Sequence, residues 1–153
     1  MMRRAVFALF LPFTAGVALA EDGKAIYDAH CAACHQPDGG GALGLAPPLQ
    51  GTLGKRLATP AGRQYVPGVV LSGLAGKLVS KGVTYTGVMP SWQQLSDAEL
   101  AAVVNHVLTT FNTAELPPGH QPLSAETFTQ LREKKPTAKD LRAWRAESEP
   151  KSE

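Results

Sequence analysis

The placement of two cysteines restricts the fold of this chain more than any other feature of its sequence. Cys31 and Cys34 are the only cysteines among 153 residues, and they are followed directly by His35. In a helical segment this spacing would put the two thiols about one turn apart, with the imidazole beside them. A framework of several disulfides, which supports many small secreted domains, is therefore excluded.

The run Cys31-Ala-Ala-Cys34-His35 is the attachment motif of c-type haem. The two thiols can bond to the two vinyl groups along one porphyrin edge, while the adjoining imidazole reaches the iron. Two other sites use the same residue types. A thioredoxin-like redox pair requires a βαβ context that this sequence lacks, and a zinc site would have no evident fourth protein ligand. We therefore predict one haem c, bound covalently through Cys31 and Cys34.

The segment that follows the motif cannot form a regular element by itself. Residues 39–49 read GGGALGLAPPL, which is too rich in glycine and proline for a helix or a strand. Such a segment becomes ordered only when it wraps around something. A buried haem would supply that surface.

The iron of such a haem needs a second ligand or an open site. Met89 lies in the run Gly87-Val-Met89-Pro90, where the glycine and the proline can hold a short loop and present the sulfur opposite His35. From its position in this loop we predict Met89 as the second ligand, and its thioether would favour ferrous iron relative to a second imidazole and raise the reduction potential. The alternative is a methionine that only fills the core. The other candidates are His106, which lies in a predicted helix, His30 and His120, which have no supporting constellation, and Met1 and Met2, which a cleaved signal peptide would remove.

Residues 1–20 have the pattern of a secretory signal peptide. Two arginines precede an apolar run that ends in Ala-Leu-Ala, a small-residue cleavage site. An uncleaved anchor is the alternative, but the 16 residues from Ala5 are fewer than the roughly 20 of a membrane span. We predict cleavage before Glu21 and a protein that works in the periplasm. The remaining chain would hold 13 basic and 13 acidic residues, which excludes a strongly basic nucleic-acid-binding protein.

Signals for helices and turns recur in the first half of the mature chain. Asp22 can cap a first helix, and Thr59-Pro60 can start a second one. We expect Pro67 to break or kink this second helix before Gly73 ends it. Residues 78–87 could form a small hairpin around a Lys-Gly turn.

The clearest helix covers residues 95–111. Ser96 and Glu99 have the spacing of a capping box, and the apolar side chains form one stripe. At about 100° per residue, His106 points away from the centre of this stripe. We therefore interpret His106 as a helix-packing or surface histidine.

The composition changes after Phe111. Residues 113–153 hold few large apolar side chains and cannot build a core by themselves, so they form an extension. Residues 124–133 and 137–146 share a hydroxyl cap followed by large apolar residues three apart, which predicts two short helices. Isolated helices this short are marginal in water. We expect them to dock on the chain's own haem domain; the alternative is a tether that folds on a partner.

The order of these motifs resembles that of the class I cytochrome c family. The resemblance covers residues 21–112 and rests on CAACH near the start, APPLQG at 46–51, YTGVMPSW at 85–92 and a capped C-terminal helix. A cytochrome c′ type of bundle carries its haem motif near the C-terminus instead. The resemblance implies an all-α fold, with a small helical haem domain and Gly/Pro-rich loops. A signal peptide at 1–20 would precede this domain, and a C-terminal extension at 113–153 would follow it.

The resemblance also implies roles for single residues. Four residues would hold the haem: Cys31 and Cys34 as thioether attachments, His35 as proximal ligand and Met89 as distal ligand. The carbonyl oxygen of Pro47, or of the adjoining Pro48, would accept the other N–H of the proximal imidazole and fix the ring. His106 stands where the family usually has an aromatic residue, packed near Gly23 and Tyr27.

These features predict a periplasmic carrier of one electron at a time, and not an enzyme. Two thioether links and two axial ligands leave no open coordination site. We expect redox proteins as partners, such as a membrane cytochrome complex, a terminal oxidase or a periplasmic dehydrogenase, and no nucleic acid or small-molecule substrate. The protein would be a monomer or a subunit of a complex. Two alternatives remain: a fixed haem subunit of a periplasmic dehydrogenase or membrane oxidoreductase and, if Met89 does not bind iron, a ligand-binding or peroxidase-like haem protein.

The charges of the middle segment suggest how a partner docks. Residues 39–96 include no acidic side chain. They include five basic ones: Lys55, Arg56, Arg63, Lys77 and Lys81. We hypothesise that these form a basic rim around the haem that attracts acidic partners. The alternative is a set of scattered, solvated side chains.

Overall fold

The computed structural model describes residues 21–150, and the predicted signal peptide at 1–20 lies outside the described residues. The helices are α1 Gly23–His30, α2 Ala32–His35, α3 Pro60–Ser72, α4 Asp97–Phe111, α5 Ala125–Lys134 and α6 Ala138–Glu147, with 3₁₀ turns at Gly54–Ala58 and Thr113–Glu115. Four short strands, β1 Leu74–Ala75, β2 Leu78–Ser80, β3 Val83–Tyr85 and β4 Val88–Met89, lie between α3 and α4. The helices supply most of the core, so the predicted all-α class is confirmed. Within residues 21–150, none of the helices has the length and apolar character of a membrane span.

The helices α1 and α4 begin at the caps that the sequence predicts. The Asp22 carboxylate accepts hydrogen bonds from the backbone N–H groups of Lys24 and Ala25, at 3.0 and 3.1 Å. The Ser96 hydroxyl accepts from the N–H of Glu99 at 3.2 Å, and the Glu99 carboxylate accepts from the N–H of Ser96 at 2.7 Å. Each cap satisfies N–H groups that the first turn of a helix leaves without partners.

The first and fourth helices cross at Gly23. A Cβ atom at this position would lie 2.2 Å from the carbonyl oxygen of Ala102, so only glycine permits the two backbones to come this close. The ring centroid of His106 lies 5.6 Å from that of Tyr27, and Phe111 packs against Tyr27 at 5.3 Å. His106 is thus a helix-packing residue. Burial lowers its pKa, which favours the neutral ring in this contact.

Helix α3 runs unbroken through Pro67, so the proline does not break it, and the alternative of a kink stays a prediction. The missing N–H of a proline removes one hydrogen bond of the helix. Burial of Pro67, which is less than 2% exposed, offsets this loss with apolar contacts. Gly73 ends the helix, as predicted.

The strands form two separate antiparallel pairs. The predicted hairpin joins β2 to β3 through Lys81 and Gly82, whose φ angles of 48° and 76° are those of a tight two-residue hairpin turn. The pairing of β1 with β4, which sets Leu74 opposite Met89, was not predicted.

The extension packs against the rest of the chain, as expected. Phe128 and Leu131 on α5 belong to the same apolar cluster as Tyr27 on α1, and Leu141 on α6 is fully buried. Helix α6 comes close to α3 at Gly68, where a Cβ atom would lie 2.9 Å from Cδ2 of Leu141. Core side chains thus come from both sides of residue 112, and the division of the chain at that point stays a prediction.

Candidate functional site

A deep cavity lies between the CAACH segment, α3, α4 and the short strands. The space inside it is about 1400 Å³ when its opening to solvent is included. Its lining is mostly aliphatic and aromatic, with side chains from α3 and α4 such as Val66, Val69, Val103 and Val107. The same cavity is lined by residues of the sequence motifs: Cys31, Cys34, His35, Pro47 and Met89. The fold therefore brings together all the site residues that the sequence singles out.

His35 is buried on the cavity wall with one ring nitrogen already bonded. Its side chain is 7% exposed, and Nδ1 lies 3.0 Å from the carbonyl oxygen of Pro47. A carbonyl oxygen can only accept, so Nδ1 carries the proton and Nε2 keeps a free lone pair. Burial lowers the pKa of His35 although the Pro47 bond opposes this, and the neutral imidazole is the form that binds a metal.

The segment that carries Pro47 is held by local turns of the Gly/Pro-rich stretch. The N–H of Ala42 donates to the carbonyl oxygen of Ala46 at 2.9 Å, and the reverse bond has the same length. Gly41 has a φ of +76°, and a Cβ atom there would lie 2.5 Å from the carbonyl oxygen of Ala46. Glycine is thus required at this position for Pro47 to reach His35.

Met89 lies on β4, where contacts with the end of α3 fix it. Its partner across the strand pair is Leu74. Gly73, with a φ of +72°, lets the chain pass close to Met89, since a Cβ atom there would lie 2.7 Å from the Met89 carbonyl oxygen. The Ser91 hydroxyl donates to the carbonyl oxygen of Leu71 at 2.7 Å. These contacts hold the Met89 side chain in the lining of the cavity.

Comparison with known proteins decides what kind of site this is. Residues 20–111 match the Cytochrome c family. The chain belongs to the cytochrome c family. Cytochrome c-552 of Thermus thermophilus is 44% identical over 145 residues, which are 94% of this chain and 96% of that protein. A second cytochrome c-552 of Thermus thermophilus is 45% identical over 124 residues, which are 81% of this chain and 94% of that protein. Cytochrome c2 of Pararhodospirillum photometricum is 41% identical over 54 residues, or 35% of this chain and 48% of its own length.

Membership of the cytochrome c family confirms several predictions together. The protein is a class I monohaem cytochrome c, with the predicted fold and covalently bound haem c. It is a haem-based electron carrier that interacts with redox partners, and not an enzyme. The match to the first cytochrome c-552 covers so much of this chain that it reaches well into residues 113–153. That relative therefore has a counterpart to much of the extension.

The cysteines of this cytochrome sit at the boundary between the cavity and solvent. Cys31 is half-buried and Cys34 is exposed, and both line the cavity. Burial raises the pKa of the Cys31 thiol to about 11. Two free thiols, a neutral imidazole with a free lone pair, a thioether and apolar walls are the donors and surroundings that haem c requires. The residues present thus fit the group that the family binds.

The other histidines are less well placed for the iron of the cytochrome. His30 lines the cavity, but it is exposed and its ring packs against Trp92 with centroids 4.8 Å apart. His106 lies on the far side of α4, against Tyr27. His120, in the connection to α5, does not line the cavity.

Asn112 supports a loop of this site from outside the cavity, and its role is not evident from the sequence. Its side chain is fully buried directly after α4. Its oxygen accepts from the N–H groups of Thr52, Leu53 and Gly54 at 3.1, 2.9 and 3.2 Å. Its nitrogen donates to the carbonyl oxygens of Leu49 and Val107 at 3.0 and 3.2 Å. Asn112 thereby anchors the segment that follows Pro47. A polar residue at the end of a strongly apolar helical stripe is the signal that could have found it.

Arg56 does not take part in the expected basic rim, and a rim formed by the other four basic residues stays a hypothesis. Arg56 is 3% exposed, and its guanidinium donates to the carbonyl oxygen of Arg145, to Ser148 and to Glu149 at 2.9, 3.2 and 2.6 Å. It therefore binds the extension and is not available to a partner. The other four basic residues are absent from the described lining of the cavity, in which Arg145 alone carries a permanent charge.

Proposed function

We propose that this cytochrome is a periplasmic shuttle in which His35 and Met89 bind the haem iron and Cys31 and Cys34 hold the ring covalently. The observation that carries the proposal is that all four side chains line one apolar cavity. When bound, the haem iron supplies a reversible one-electron couple. Two protein ligands leave no vacant position on the iron, which favours electron transfer without bond chemistry.

The residues around the cavity would have separate tasks in this function. Pro47 accepts the Nδ1–H bond at 3.0 Å and so orients the lone pair of His35 towards the iron. The contacts of β4 and Ser91 with the end of α3 hold Met89 in place, so that the ligand set does not change between oxidation states. The apolar lining excludes water, and together with the thioether this raises the reduction potential.

A partner would dock where apolar side chains are exposed near the cavity. Leu43, Leu45 and Val88 are 84, 56 and 72% exposed, and both Leu45 and Val88 also line the cavity. An exposed apolar patch next to a redox site suits a short-lived contact with another redox protein. The partner would be a membrane cytochrome complex, a terminal oxidase or a periplasmic dehydrogenase. The rate at which this cytochrome associates with such a partner would depend less on salt concentration than association through a basic rim would.

The periplasmic location is supported by the signal-peptide pattern of residues 1–20. The alternative of a fixed subunit attached through the extension loses its support, because the apolar edges of α5 and α6 face the core of the same chain.

The test of the ligand assignment is Met89→Ala. The reduction potential should fall, and the reduced protein should bind carbon monoxide, because the iron loses its thioether. Val79→Ala is the control, since this residue on strand β2 is 51% exposed and does not line the cavity. If Met89→Ala keeps the wild-type potential and does not react with carbon monoxide, another side chain is the ligand.

A further inference from the structure

Gln36, the residue directly after His35, has a backbone conformation that almost only glycine adopts. Its φ and ψ angles are 65° and 156°, and a residue with a side chain occupies this region only at a cost in free energy. Pro37 accounts for the ψ angle, since a residue before proline favours values near this one, but it does not account for the positive φ angle. The side chain of Gln36 is exposed. Contacts of its backbone must therefore hold this conformation.

The carbonyl oxygen of Gln36 accepts two hydrogen bonds. One comes from the hydroxyl of Tyr27 at 2.7 Å, and the other comes from the N–H of Gly39 at 3.0 Å. Tyr27 is fully buried, and burial raises its pKa to about 12, so the hydroxyl keeps its proton and donates. If Gln36 relaxed to a negative φ angle, its carbonyl group would turn away and leave this buried hydroxyl unpaired, which is costly. The bond from Tyr27 therefore opposes the relaxation of Gln36.

The turn at Gln36 joins His35 to the segment that carries Pro47. His35 is the last residue of α2, and Gln36 is its C-cap. The N–H of Gly41 donates to the carbonyl oxygen of His35 at 2.9 Å, which folds the segment back over the end of this helix. The carbonyl oxygen of Pro47 then lies 3.0 Å from Nδ1 of His35. Rotation about φ of Gln36 would swing the segment relative to α2, so this distance depends on the strained turn.

We propose that Tyr27 is a positioning residue for the iron ligand His35, because its hydroxyl holds Gln36 in the strained turn that keeps Pro47 within reach of Nδ1. This rests on the proposed function, in which His35 binds the haem iron. A carbonyl oxygen that accepts the Nδ1–H bond makes the imidazole a more basic ligand, and a more basic ligand favours ferric iron over ferrous iron. The hydroxyl of Tyr27 therefore lowers the reduction potential, although its ring belongs to the apolar lining, which raises it.

The experiment compares Tyr27→Phe with His106→Leu in the cytochrome with its haem bound. Tyr27→Phe keeps the ring in the cavity wall and removes only the hydroxyl. We expect its reduction potential to shift upwards. In the reduced protein, the Nδ1–H proton of His35 should exchange with solvent about fivefold faster, because the bond to Pro47 opens more often. His106→Leu removes the ring that packs 5.6 Å from that of Tyr27 but keeps the hydroxyl bond, so it should lower stability and leave the potential and this exchange rate unchanged.

A second variant tests whether the hydroxyl acts through the strained turn. Glycine at position 36 adopts the same angles without steric cost, so in Gln36→Gly the turn no longer needs the bond from Tyr27. We expect Tyr27→Phe to shift the potential much less when Gln36→Gly is also present. If Tyr27→Phe alone does not fold, the addition of Gln36→Gly should restore a folded cytochrome, and failure to restore it would overturn the proposal.

Other results would also overturn the proposal. An unchanged or lower potential in Tyr27→Phe would mean that Tyr27 only packs α1 against its neighbours. Equal shifts with and without Gln36→Gly would mean that the hydroxyl acts on the haem directly, and an equal shift in His106→Leu would mean that general loosening sets the potential. The ligand assignment fails in a different way. The ring current of the haem displaces the NMR signals of a bound imidazole, and signals of His35 without this displacement in the reduced wild-type protein would show that His35 is not the ligand.

Discussion

At the scale of single residues, Asn112 shows how one side chain can organise a loop. It forms five hydrogen bonds with groups that lie between 5 and 63 residues away in the chain. All of these partners are backbone groups, which any residue in those positions would present. Asn112 therefore fixes the backbone of the loop from Leu49 to Gly54 at four positions. Since this loop follows Pro47, Asn112 also supports the orientation of His35.

We expect Asn112→Ala to reduce the free energy of unfolding by about 3 kcal/mol or more, because it leaves buried N–H and C=O groups unpaired at about 1–3 kcal/mol each. The control is Asn105→Ala. Asn105 lies within α4, the helix that Asn112 follows, and exchanges two hydrogen bonds with the backbone of Leu123, both at 2.8 Å. Denaturant unfolding of the two variants gives the comparison. Equal losses would show that Asn112 is no more than an ordinary hydrogen-bonded asparagine.

At the scale of elements, α5 is attached to the start of α4 by an ion pair. Nε of Arg132 lies 2.6 Å from Oδ1 of Asp97, and the hydroxyl of Thr129 donates to Oδ2 at 2.6 Å. The other guanidinium nitrogens donate to the carbonyl oxygens of Gln93 and Leu95 at 2.8 and 2.6 Å. These contacts fix the extension against the loop that leads into α4.

This attachment should make stability depend on pH. The hydrogen bonds from Arg132 and, next, from Thr129 lower the pKa of Asp97 below its ordinary value. The stabilisation is therefore present above the unfolded pKa of about 3.9 and is lost as the pH falls through the folded pKa. Asp97→Asn should cost about 1 kcal/mol at neutral pH, a figure limited by solvent screening, and the difference from wild type should shrink in acid.

The control for Asp97 is Asp28→Asn, which breaks an exposed pair with Lys24 within α1. Its effect on stability should be smaller, since both side chains of that pair are largely in solvent. Thermal unfolding of the three proteins at several pH values makes the comparison. A deficit of Asp97→Asn that stays the same in acid would contradict the assigned role of the carboxylate.

At the scale of the whole molecule, the elements share one apolar core cluster and also enclose the large cavity beside it. Helices α3 and α4, the Gly/Pro-rich segment, the short strands and the extension all contribute to its lining. Side chains that face a large cavity lose the contacts that a filled core would give them. The haem is therefore expected to be part of the folding unit.

Changing both Cys31 and Cys34 to alanine should abolish covalent haem and leave the mature chain poorly packed. Residues 39–51 would lose the surface that they enclose, and the cavity walls would face water. Ala33→Ser, between the cysteines, is the control because it keeps both thiols. Near-ultraviolet circular dichroism and the dispersion of amide NMR signals measure the packing. A haem-free double variant with sharp, native-like signals would show that the fold does not depend on the cofactor.

The sequence by itself determined those features whose atoms lie within a few residues of one another. The caps at Asp22, Ser96 and Thr137 join positions two or three apart, and Lys81-Gly82 closes a hairpin between adjacent strands. The haem motif is equally local, because Cys31, Cys34 and His35 must all reach the same porphyrin and therefore lie within five residues. Residue types and their short spacings were enough for these features.

Only the tertiary structure decided the contacts between distant parts of the chain. Arg56 became a buried anchor because Ser148, 92 residues later, lies beside it, and Asn112 bonds to Gly54 across 58 residues. Pro67 stays within a helix because tertiary burial outweighs its missing hydrogen bond. Arg145 enters the cavity because α6 packs on α3. The charge and the helix propensity of a residue can be read from the residue alone. Its burial and its hydrogen bonds depend on which surfaces pack together, and this packing is fixed only when the whole chain has folded.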